Sequence, residues 1–140
     1  NRLSLLGIVD AQAWGKLRIL VELNNMPVPT KWRNIAKSAQ LQTLSFNYTN
    51  KGLVNQVFTW LAQRNKITIN QFKQTLIAKL QNDIRQMRIT LDTSVLSSIQ
   101  QFIQNPNQLT IDLQPNPPIT INTFLQTSPK RLGLKMNSGK

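Results

Sequence analysis

The run Lys16-Leu-Arg-Ile-Leu-Val-Glu-Leu-Asn24 decides the fold. Leu17, Ile19, Val21 and Leu23 fall on one side of it, and Lys16, Arg18, Glu22 and Asn24 fall on the other. Successive side chains of a strand point to opposite faces, so a period of two marks a strand with one apolar and one solvent face. Upstream, Arg2–Val9 is rich in aliphatic and β-forming residues. Asp10–Gly15 joins the two runs, and an antiparallel hairpin is expected. Downstream, Met26-Pro-Val-Pro29 ends the strand, because proline cannot donate to a ladder.

Thr30 is placed to cap a short helix over Lys31–Ala39. In the next strand Leu44, Phe46 and Tyr48 alternate with Ser45, Asn47 and Thr49. Asn50 then reads as an N-cap. Leu53, Val54, Val57, Phe58 and Leu61 follow on one stripe of a helix that ends near Asn65. Thr68-Ile-Asn-Gln71 fits a capping box, in which each end residue's side chain serves the other's backbone N–H. The helix behind it carries Ile69, Phe72, Leu76, Leu80, Ile84 and Met87 on one face. A third starts at Asp92 or Thr93, carries Val95, Leu96, Ile99, Phe102 and Ile103, and stops before Asn105-Pro106. Leu109–Gln114 alternates as a further strand, and Pro115–Pro118 closes it. Ile119–Gln126 reads as strand or short helix, Leu132–Met136 as a last strand, and Asn137–Lys140 as a frayed polar tail.

Strands come first and last with helices between them, and segregated elements argue for an α+β fold. The expectation is a mainly antiparallel sheet of four to five strands with three to four helices packed on one face. Its 140 residues suit one domain, 1–140. The chain begins with Asn inside a strand-like run, so it reads as the C-terminal part of something longer. No stretch approaches the roughly 20 apolar residues of a membrane span.

Catalytic chemistry is thinly represented. There is no histidine and no cysteine, which removes the commonest general base, thiol nucleophiles, disulfides and zinc–thiolate sites. Five carboxylates remain: Asp10, Glu22, Asp83, Asp92 and Asp112. Glu22 and Asp112 are the pair that a sheet could bring together, but each is better read as facing solvent beside a Lys or Arg. The five glycines are isolated, so no phosphate loop can form. Gly52, read as the second residue of its helix after the Asn50 cap and beside Lys51, offers only the weak anion affinity of any helix start. No serine has a lysine three residues on. The chain is therefore expected to be no enzyme, with no cofactor and no metal.

The charge is lopsided. Seventeen Lys and Arg stand against five Asp and Glu, a net +12. A field of that sign draws anionic partners. The cations are scattered, and 30 Asn and Gln occupy much of the remaining surface, so a solvated background explains the same numbers. Two groupings stand out as candidates for an anion or partner. Trp32 lies between Lys31 and Arg33, and the three combine stacking with charge unless Trp32 anchors its helix. At about 100° per residue, Lys66, Lys73, Arg85 and Arg88 share roughly 120° of the long helix beside its apolar stripe. Such a helix lies on an anionic membrane, or lets its basic stems snorkel over the core edge.

Two stretches together resemble the C-terminal part of uncharacterised exported proteins of Gram-negative bacteria. They are Leu41-Gln-Thr-Leu-Ser-Phe-Asn-Tyr-Thr-Asn-Lys-Gly-Leu53, and Phe102–Pro118 with the Leu132-Gly-Leu134 that follows. The likeness covers about residues 41–136, with Asn50 where the pattern has Asp. It implies a periplasmic or envelope-facing location and no known activity. The expected function is a non-catalytic binding or scaffolding domain of the envelope, whose partner is an unidentified protein or an anion: lipid headgroup, polysaccharide or nucleic acid. The alternatives are a nucleic-acid-binding module resting on the +12, and a secreted effector whose basic end, Pro129–Lys140, directs export.

Overall fold

The computed structural model describes residues 1–28, 31–88, 90–127 and 132–139. The hairpin is present. β1 (Arg2–Ala11) and β2 (Gly15–Asn24) pair antiparallel without a break from Arg2↔Asn24 to Ala11↔Gly15. β3 (Gln40–Asn50) lies on the other side of β2, with a bulge between Glu22 and Leu23. β4 (Gln108–Leu113) pairs with β3, and β6 (Leu134–Gly139) pairs with β4. A two-residue β5 (Ile119–Thr120) pairs with the start of β3. The order β1-β2-β3-β4-β6 is antiparallel at every step.

The helices are α1 (Trp32–Ser38), α2 (Leu53–Arg64), α3 (Ile69–Gln86), α4 (Thr93–Gln104) and the one-turn α5 (Ile121–Phe124). The fold is α+β, with six strands and five helices among the described residues. The elements beyond the expected number are β5 and α5, both within the ambiguous Ile119–Gln126 and too short to display a period.

Register sorts the side chains into two faces. Leu17, Ile19 and Val21 stand beside Tyr48, Phe46 and Leu44, and these beside Leu109, Ile111 and Leu113. α4 lies on this apolar face. The Phe102 ring meets Tyr48 edge-on at 6.4 Å, and the buried Ser98 hydroxyl sits 2.9 Å from the Met136 carbonyl of β6. Phe58 and Phe72, 5.5 Å apart, join α2 to α3. Val95 of α4 is the most deeply buried large side chain, and Leu23, Leu41, Ala62, Ile103 and Leu132 are buried with it.

Local signals explain the helix ends. The capping box is formed, with Gln71 N–H donating to Thr68 Oγ1 at 3.1 Å and Thr68 N–H donating to Gln71 Oε1 at 2.9 Å. Asn50 caps α2 from two residues outside it, and its Oδ1 accepts from Gly52 N–H and Val54 N–H at 3.1 and 3.2 Å. Gly52 is thus the residue before the helix rather than one inside it. α1 begins behind Lys31 with no side-chain cap, and the expected cap Thr30 lies outside the described residues. The polar tail is the clearest correction. Asn137–Gly139 is strand, paired with Thr110, Leu109 and Gln108. Backbone pairing with β4 recruits those residues, and their side chains carry no sign of it.

α2 ends in a Schellman turn. Ile67 N–H donates to the Ala62 carbonyl and Lys66 N–H to that of Gln63, both at 3.1 Å. Lys66 takes φ 56°, a region that disfavours any residue with a Cβ. Replacing Lys66 with glycine is expected to raise stability by about 0.5–1 kcal/mol in urea unfolding at unchanged m-value.

Candidate functional site

The second face of the sheet has the opposite character. Lys16, Arg18 and Leu20 of β2 stand beside Thr49, Asn47 and Ser45 of β3, and these beside Gln108, Thr110 and Asp112 of β4. Lys16, Arg18, Leu20, Ser45, Asn47 and Thr49 line an open groove of about 360 Å³. All six come from strands, and no helix among the described residues lines it. Alternation explains the composition, since the residues between the core-facing ones must point here.

The floor is fixed by cross-strand hydrogen bonds. Ser45 Oγ donates to Asp112 Oδ1 at 2.6 Å, Asn47 Nδ2 to Thr110 Oγ1 at 2.9 Å, and Gln108 Nε2 to Asn47 Oδ1 at 3.3 Å. Lys16 and Arg18 are exposed at one end, while Asp112 lies two strands from β2, opposite Lys135 of β6. An anionic group therefore belongs at the Lys16/Arg18 end, where two cations and the Asn47 and Thr49 side chains converge. The hairpin turn pins that end to the body. The Trp14 carbonyl accepts from Lys51 N–H at 3.1 Å, Leu53 N–H at 3.4 Å and the Tyr48 hydroxyl at 3.1 Å.

The expected site residues fall elsewhere. Lys31, Trp32 and Arg33 stay together at the exposed start of α1, and Trp32 is 73% exposed, so it does not anchor its helix. The arc on the long helix breaks up. α3 covers only Ile69–Gln86, and both Lys66 and Arg88 lie beyond its ends in left-handed backbone, so neither shares its period. Arg85 is exposed in the last turn. Lys73 is half-buried, and its ammonium donates to the Gln104 carbonyl at 2.8 Å, closing the C-terminal end of α4. The backbone donors at the start of α2 are engaged as well, by Asn50 and the Trp14 carbonyl, while Lys51 pairs with Asp10 at 3.2 Å.

Glu22 and Asp112 do not meet, since β3 separates their strands. Glu22 pairs with Arg2, and Asp112 accepts from Ser45 rather than from a cation. Among the described residues no three acidic side chains gather as a metal site. The Arg2 guanidinium, followed by the Thr43 hydroxyl, holds the Glu22 carboxyl below its ordinary 4.5. A depressed carboxylate stabilises the fold above its unfolded-state value and loses that contribution as pH falls through the folded value. Following the Glu22 carboxyl carbon by NMR should show it titrating below 4.5, and Arg2→Ala should bring it back up. Of the basic end read as an export tail, Pro129, Lys130, Arg131 and Lys140 lie outside the described residues.

A family model described as an uncharacterised protein matches residues 9–138. The chain belongs to that family, which is bacterial. No curated protein and no solved structure matches it. The resemblance carried by residues 41–136 holds at this level, that of an uncharacterised bacterial family.

Proposed function

We propose that the chain is a non-catalytic binding domain whose helix-free sheet face holds an anionic glycan of the bacterial envelope. The observation that carries this reading is the groove itself. Two cations, Lys16 and Arg18, stand over a floor of hydroxyl and amide side chains that is fixed by its own hydrogen bonds. Cations supply charge-assisted bonds to carboxylate or phosphate, and Ser, Thr and Asn side chains suit sugar hydroxyls. The non-catalytic part is supported by the separation of Glu22 from Asp112. The envelope location rests on the resemblance of residues 41–136.

Nucleic acid is the second reading, favoured by the net +12. Single-strand binders stack bases on aromatic side chains. Here Phe46 and Tyr48 of β3 point to the opposite face, towards α4, and among the described residues no aromatic lines the groove. The test is a fluorescence titration with polygalacturonate, dextran, single-stranded DNA and duplex DNA. Binding to polygalacturonate that weakens with salt, with none to neutral dextran, is the expected result. Tighter binding to DNA than to polygalacturonate would move nucleic acid to first place.

A further inference from the structure

The groove leaves unexplained a run of exposed large hydrophobic side chains in β1. β1 is ten residues long and lies at the edge of the described sheet, where β2 is the only described strand paired with it. Leu5, Leu6, Ile8 and Val9 are between 52% and 63% exposed. They occur on both faces of the strand, since Leu5 and Val9 register with the core-facing Val21 and Leu17, and Leu6 and Ile8 with the groove-facing Leu20 and Arg18. A free edge presents a row of unpaired backbone groups, which proteins ordinarily shield with lysine, proline or a bulge. β1 contains no lysine and no proline, and its pairing with β2 has no bulge.

We infer that the β1 edge pairs antiparallel with β1 of a second copy of this chain, about a two-fold axis at Leu6, to give one continuous sheet. The strand's own charges select this occupant and this register. Centred on Leu6, the pairing sets Arg2 opposite Asp10 of the second copy, Leu3 opposite Val9, Ser4 opposite Ile8, and Leu5 opposite Gly7. A two-fold interface is self-complementary, so each of these pairs occurs twice. Both charged residues of the strand then face an opposite charge, and the exposed leucines, Ile8 and Val9 all face apolar residues, Gly7 or Ser4. Centring one residue to either side along the same face breaks the match. With Leu5 at the centre Arg2 faces Ile8, and with Gly7 at the centre Asp10 faces Ser4. Arg2 and Asp10 keep their present partners Glu22 and Lys51, which lie on the inner side of the strand or beyond its end. The pairing extends the sheet sideways and leaves the groove over β2 and β3 open, so it does not depend on the proposed ligand.

The absence of cysteine gives a clean test. Directly opposed residues of antiparallel strands have Cα atoms roughly 4.5–5.5 Å apart, within the roughly 4.4–6.8 Å that a disulfide spans. Leu6→Cys should therefore form a disulfide-linked dimer under mild oxidation in about 0.15 M salt, where repulsion between the two basic chains is largely screened. Val9→Cys should not, because its copies would stand six residues apart along the strands, roughly 20 Å. Val9 is the more exposed of the two, so random collision would favour the opposite result. Light scattering should give about twice the 16.0 kDa chain mass for the unaltered protein, and Leu6→Lys should return it to the monomer with its circular dichroism intact. A monomer at every concentration up to about 1 mM overturns the proposal, and so does cross-linking at Val9 equal to that at Leu6.

Discussion

Gly15→Ala is expected to destabilise the protein by about 2–4 kcal/mol, combining backbone strain and overpacking. Gly15 opens β2 at φ 150°. A Cβ built there would stand 2.5 Å from the Thr49 carbonyl oxygen and 2.9 Å from the Tyr48 ring, and the first of these is backbone, which cannot swing aside. Tyr48 cannot move freely either, because its ring packs on Phe102 and its hydroxyl donates to the Trp14 carbonyl. The loss is a large part of the roughly 5–15 kcal/mol that holds a domain together. Thermal unfolding should drop by roughly 10 °C. Gly7→Ala is the control, since a Cβ at Gly7 meets nothing within 4 Å. Its effect should be within about 0.5 kcal/mol. Equal losses at the two positions would contradict this account of the hairpin's attachment.

Reversing Lys16 and Arg18 together, K16E/R18E, is expected to weaken polygalacturonate binding on the order of 100-fold. Each cation that donates to a carboxylate contributes roughly 1.5 kcal/mol or more, and each 1.4 kcal/mol is tenfold in affinity. Both side chains are exposed, so folding should not suffer. The proper comparison is K37E/R85E, which imposes the same net charge from exposed positions on α1 and α3. Its loss should stay below about threefold, as screening at physiological salt confines charge effects to within about 8 Å. Equal weakening by the two double variants would assign the binding to bulk charge and remove the groove from the argument.

Much of the fold was legible because its signals are local. The period of two in Lys16–Asn24 and in Leu44–Thr49, the apolar stripes of α2 to α4, and the Thr68/Gln71 box are each contained within a few residues. Ile119–Thr120 and Ile121–Phe124 were not legible as separate elements, since neither is long enough to repeat anything. Asn137–Gly139 was read as a tail because its strand state comes from β4, not from its own side chains. The basic arc on α3 failed for a related reason. It assumed a helix running past Gln86, while left-handed backbone at Arg88 and at Lys66 bounds the helical segment.

The groove shows the same division. Its ingredients were visible, since alternation already set Lys16 and Arg18, and Ser45, Asn47 and Thr49, on the polar sides of their strands. Two facts that make a site of them are long-range. One is the register that places Arg18 beside Asn47, and Asn47 beside Thr110. The other is that α4 packs on the opposite face. The candidates that sequence reasoning preferred, Trp32 and the basic residues around α3, are prominent in composition, yet Lys73 proves to be occupied in holding α4.

The most direct test of the central claim is to add polygalacturonate to isotopically labelled protein and follow the backbone amide signals by NMR. Shifts concentrated at Lys16, Arg18, Ser45, Asn47 and Thr49, with α1 and α3 unmoved, are the expected result. Shifts confined to Lys31–Arg33 or to Arg85 and Arg88, with the sheet face silent, would contradict it.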